Sequence, residues 1–171
     1  MKRRNIVMMS AIAAFLLALP PGSAVSQTKS LKDQLVGTWT VASWEQVRPD
    51  GSKFHRFGAN PKGMQVFDAN GNFIVLFARP DLPKLASANP STPTPEEAKA
   101  IVGGAIGYYG TYTVDDAAKV VTLHIAASSF PNQVGVGQKR TVTSITSDEL
   151  KYQNTTVLTG GQIYIALKRA K

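Results

Sequence analysis

The sequence predicts an all-β fold, an up-and-down antiparallel barrel of about 8–9 strands with two short helices. Three observations carry that expectation. At 171 residues the chain has the length of one domain. Much of it divides into short segments in which β-branched and aromatic side chains alternate with polar ones, the period of a half-buried strand. Turn-forming residues separate those segments at close intervals, and a meander of short strands loses its exposed edges most simply by curling until the first strand meets the last. A β-sandwich is the alternative packing of the same strands.

The chain opens on an address. Lys2, Arg3 and Arg4 precede a 14-residue apolar run over residues 6–19, followed by Pro20-Pro21-Gly22 and small residues through Ser26. This is the pattern of a secretory signal peptide, cleaved after Ala24 or Ser26; the run is shorter than the ~20 residues that span a bilayer, so no stable membrane anchor is expected after cleavage. Residues 1–26 are therefore assigned to export and 27–171 to the barrel domain, with a secreted or periplasmic location.

Ser30 ahead of residues 31–35 reads as a capped helical turn. Residues 37–47 alternate as a strand, with Trp44 out of phase with Trp39, which predicts either a bulge or a second buried face there. Phe54, His55 and Phe57 mark a short strand between loops. Residues 64–67 and 73–78 flank Asp68-Ala69-Asn70-Gly71, the strongest hairpin signal in the chain. Residues 79–95 contain five prolines and read as a loop. It ends in Thr94-Pro95-Glu96-Glu97, a capping box that starts a helix running to about Val102 and stopped by Gly103-Gly104. Residues 108–114 and 120–127 form a second hairpin across residues 115–119, and further strands are expected at 138–146, 149–155 and 162–169.

Composition excludes several chemistries. Cysteine is absent, which removes disulfides, thiolate metal sites and a cysteine nucleophile. Three of the eight net positive charges belong to the leader, and the remaining cations are scattered: Lys53 and Arg56, Lys139-Arg140, and Lys168, Arg169 and Lys171. No basic stripe forms, so no nucleic-acid partner is expected. The two histidines, His55 and His124, lie 69 residues apart without metal-ligand spacing, and no nucleophile elbow, phosphate loop or dinucleotide fingerprint is present. No metal and no cofactor are predicted.

Six blocks, Leu35-Val36-Gly37-Thr38-Trp39, Asn60-Pro61-Lys62-Gly63-Met64, Asp68-Ala69-Asn70-Gly71, Arg79-Pro80-Asp81, Tyr109-Gly110-Thr111-Tyr112 and Phe130-Pro131-Asn132, occur in an order that resembles the bacterial and fungal lipocalin-like domain family over residues 31–169. The resemblance implies a calycin-type barrel with an internal cavity and says little about chemistry. Arg169 shares the phase of Ile163, Ile165 and Leu167. It either lies over the Trp39 indole where first and last strands meet, or ends in solvent.

Such a barrel encloses either packed side chains or one small ligand. For the hollow case the expected wall is Met64, Val66, Phe73, Val75, Phe77, Tyr108, Tyr112 and Phe130, with the proline-rich loop and its helix as a lid. Arg79, in phase with Phe73, Val75 and Phe77, either anchors an acidic ligand near the mouth or pairs with Asp81. His124 shares a face with Val120, Thr122 and Ala126; facing inward it is a candidate general acid/base, facing outward it is structural. Two functions follow: a non-enzymatic binder of a small hydrophobic ligand, acidic in one version, or an isomerase, cyclase or hydratase acting on a hydrophobic molecule through His124 or a tyrosine. A filled barrel would instead be an interaction module.

Overall fold

A computed structural model describes residues 29–154, 157 and 160–171; the leader and the end of the predicted 149–155 strand lie outside them. The element order is α1 (Leu31–Leu35), β1 (Gly37–Val47), β2 (Lys53–Phe54), β3 (Lys62–Phe67), β4 (Asn72–Ala78), α2 (Pro95–Gly104), β5 (Ala105–Asp115), β6 (Val120–Ser128), a 3₁₀ turn (Pro131–Gln133), β7 (Gly137–Ile145), β8 (Glu149–Asn154) and β9 (Gln162–Arg169). Every neighbouring pair is antiparallel, and β1 closes the circuit by pairing with both β3 and β9. Eight strands therefore form a closed barrel rather than a sandwich, with β2 added beside the end of β1.

Local chemistry explains the elements. Ser30 Oγ accepts from the Asp33 N–H at 3.1 Å and starts α1. In α2 the Thr94 hydroxyl accepts from the Glu97 N–H at 3.2 Å, while the Glu97 carboxylate accepts from the Thr94 N–H at 2.8 Å. The pairing of β1 with β9 slips between Val41 and Ser43, and that bulge turns both Trp39 and Trp44 into the barrel. At the β3–β4 hairpin Gly71 takes a positive φ, +92°, and Asn70 does not. Asp68 holds the turn instead, its carboxylate accepting from the Asn72 N–H at 2.7 Å. The other end of this hairpin needs glycine for a different reason: a Cβ on Gly63 would stand 1.9 Å from the Leu76 carbonyl oxygen.

One end of the barrel is sealed. Leu31 and Leu35 of α1 are buried beside Trp39, whose indole N–H donates to the Leu35 carbonyl at 2.8 Å. Arg169 lies 4.0 Å from the centroid of the same ring and donates to the carbonyls of Gln34, Val36 and Ser147. Of the two fates open to Arg169, the cation–π cover is the one adopted. Phe67 and Tyr112 meet edge to face above this plug, with centroids 5.0 Å apart. The Tyr152 hydroxyl then donates across the interior to Gln65 Oε1 at 2.6 Å, tying β8 to β3.

Candidate ligand cavity

Beyond that strut the barrel is hollow. A cavity of about 320 Å³ is walled by Trp44, Phe57, Phe77, Ile106, Tyr108 and Ile165, and its lining includes Phe54 and Phe130, both exposed to solvent. The rim owes its shape to Arg56. Its guanidinium donates to the carbonyls of Val102, Gly103 and Ala105 at 2.9–3.2 Å, occupying two C-terminal carbonyls of α2 and that of the first residue of β5, and so ties the end of the helix to the loop after β2. Burial lowers the pKa of Arg56, yet an arginine remains charged. Arg56→Ala should free the end of α2 at a cost of about 1–2 kcal/mol and raise amide hydrogen exchange over residues 100–105, leaving the plug unchanged.

Polar side chains also face the hollow. Gln46, Gln138, Arg140 and Asn154 line it although each is nearly inaccessible to solvent. Arg140 and Asn154 are direct cross-strand partners, so they project from adjacent strands to the same side. Arg140 is 2 % exposed; its Nη2 donates to Gln138 Oε1 at 2.7 Å, its Nη1 reaches the Lys139 carbonyl at 3.3 Å, and its Nε has no partner. Its guanidinium stands beside the Tyr152 hydroxyl, whose pKa is driven upward chiefly by burial, so the phenol stays neutral. Asn154 Oδ1 is likewise buried and unpartnered. The pocket thus has an apolar wall with a polar cluster, Gln138, Arg140 and Asn154, set into it.

The chain forms a closed eight-stranded meander sealed by a Gly37-x-Trp39 strand and a final-strand arginine, and the family model described as "Lipocalin-like domain" matches residues 36–164. The chain belongs to the lipocalin-like domain family. Among solved structures it is similar to a lipocalin-like protein from Bacteroides uniformis ATCC 8492, at 11 % identity over 80 % of this chain and 99 % of that one, with a TM-score of 0.43. It is also similar to a redesigned beta barrel, at 16 % identity over 84 % of this chain and 100 % of the other, with a TM-score of 0.44. No curated protein matches it.

Within this lipocalin-like domain the residues expected at the wall separate into three groups. Phe77, Tyr108 and Phe130 line the cavity. Phe73, Val75 and Tyr112 point inward but are buried in the core without lining it; Phe73 packs edge to face on Tyr108, and the Tyr112 hydroxyl donates to the Asp68 carbonyl. Met64 and Val66 are corrections, for they lie on the outer face, Met64 being 46 % exposed. The reason is register: Phe67 sits directly opposite Phe73, so both turn inward, and alternation then sends Gln65 inward and Met64 and Val66 outward.

Arg79 is a second correction. Its guanidinium grips Asp81 through two bonds of 2.6 and 2.9 Å, outside the cavity lining. That hydrogen bonding lowers the Asp81 carboxyl pKa and raises that of Arg79. His124 is exposed on the outer face of β6, 3.4 Å from the Thr113 hydroxyl, and so is not placed to transfer protons in the cavity. Among the described residues no cluster could hold a metal ion, and no helix is long and apolar enough to cross a membrane.

The polar residues Gln46, Gln138, Arg140, Tyr152 and Asn154 were not picked out by sequence reasoning. A signal existed in the strand phase. Gln138 and Arg140 share a face with Val142, and Tyr152 and Asn154 with Leu150, each an inward apolar residue.

Proposed function

We propose that this lipocalin-like domain is an exported protein that holds one small hydrophobic molecule in the hollow half of its barrel. The observation that carries the reading is the cavity itself: about 320 Å³, at the small end of the range for ligand pockets, aromatic around its wall and open at one rim. A barrel whose sole purpose was structural would gain stability by filling that space, since each buried void forfeits packing contacts. The leader-like segment at residues 1–26 supports a secreted or periplasmic place of work.

The test uses N-phenyl-1-naphthylamine, an uncharged fluorophore that brightens in apolar surroundings. Titrated into the purified protein it should show a saturable rise with one site per chain. Ile163, partly buried at the cavity wall, offers the control: Ile163→Trp fills the space from the rim and should abolish the signal while the far-ultraviolet circular dichroism stays that of a barrel. Absence of saturable brightening in the unaltered protein would end this reading.

A further inference from the structure

All eleven acidic residues of the chain lie within the described residues, yet none forms an ion pair with Arg140; those pairs go to Lys53, Arg79 and Lys151, and the His55 ring stands 3.6 Å from Glu45. Arg140 is therefore a buried cation without a counter-charge. Leaving one there is costly, because a charge removed from water needs a compensating partner. The same molecule shows what an arginine with a structural task looks like: Arg169 and Arg56 each donate to three backbone carbonyls. Arg140 differs, with one short bond to a neutral amide, a long one to its neighbour's carbonyl, the neutral Tyr152 hydroxyl beside it and an idle Nε.

We infer that Arg140 is the anchor for the carboxylate of an apolar monocarboxylic acid, bound head-down with its hydrocarbon body toward Phe54 and Phe130. This rests on the cavity's being a ligand site. A guanidinium matches a carboxylate with two parallel N–H donors, and the ligand supplies the charge that the protein lacks. Monoanionic character follows from the donor set: the other lining cation, Arg56, has its guanidinium committed to the end of α2. Asn154, facing Arg140 across the strand pair, adds a polar contact, and a half-turn of its amide would present an N–H to the same head group.

Decanoate and 1-decanol, which share a chain and differ in the head group, provide the test by displacement of N-phenyl-1-naphthylamine at constant salt. The unaltered protein should prefer the acid, and Arg140→Met should weaken decanoate by about 100-fold, the loss expected for a hydrogen-bonded ion pair, while decanol and the fluorophore bind within twofold of before. Arg140→Lys, which keeps the charge but not the fork, should fall between. Equal affinity for acid and alcohol, or an unchanged decanoate affinity in Arg140→Met, would overturn the head-group assignment and leave the cavity reading intact. Failure of the fluorophore, the acid and the alcohol alike to bind the unaltered protein would overturn both.

Discussion

Trp39→Ala should lower the stability of the barrel by about 3–5 kcal/mol, the range for losing a large buried aromatic, and denaturant unfolding followed by circular dichroism would measure it. Trp39 is 0 % exposed and joins three parts of the fold at once: α1 through the Leu35 carbonyl, β3 through its register with Gln65, and β9 through Arg169 above its ring. Trp39→Phe keeps an aromatic face for the guanidinium but strips the Leu35 carbonyl of its donor, so about 1–2 kcal/mol should be lost. Neither change touches the cavity, and in Trp39→Phe the fluorophore should bind as before. A loss below about 1 kcal/mol for Trp39→Ala would mean that the sealed end does not hold the barrel closed.

The second large effect has the opposite sign. Replacing both Arg140 and Gln138, as Arg140→Met with Gln138→Leu, should stabilise the ligand-free protein by about 1–4 kcal/mol, because it removes a buried, uncompensated charge together with the amide that serves it. The Tyr152 hydroxyl keeps its bond to Gln65 in that variant. Decanoate should raise the unfolding midpoint of the unaltered protein and leave that of the double variant in place. If the double variant is less stable than its parent, Arg140 is a structural residue, and the case for a ligand's negative charge weakens with it.

Much of the fold was legible because local chemistry and global closure agree. The capping box at Thr94 and Glu97, the turn before Asn72, the bulge between Trp39 and Trp44 and the bounds of β9 each follow from residues a few positions apart. The cavity was harder to read because its polar cluster breaks the rule that polar residues face water. Lys139-Arg140 looks like a solvated pair of cations, and only the phase shared with Val142 distinguishes the one that turns inward. Gln65 deceives in the same way: an amide between Met64 and Val66 suggests an outward side chain, whereas Tyr152, 87 residues later, supplies the partner that lets it be buried. Arg79 continues an apolar phase but has Asp81 two residues away, and the nearer charge wins.

The seam between β1 and β9 joins residues far apart in time as well as in space. The Thr40 hydroxyl donates to the carbonyl of Lys168, 128 positions later, so during synthesis β1 waits for almost the whole domain to emerge before its partner exists. Throughout that interval one side of β1 is a bare edge and the Trp39 indole has no guanidinium above it, and β8 joins it as a second bare edge once made. A nascent chain of this design cannot lock prematurely.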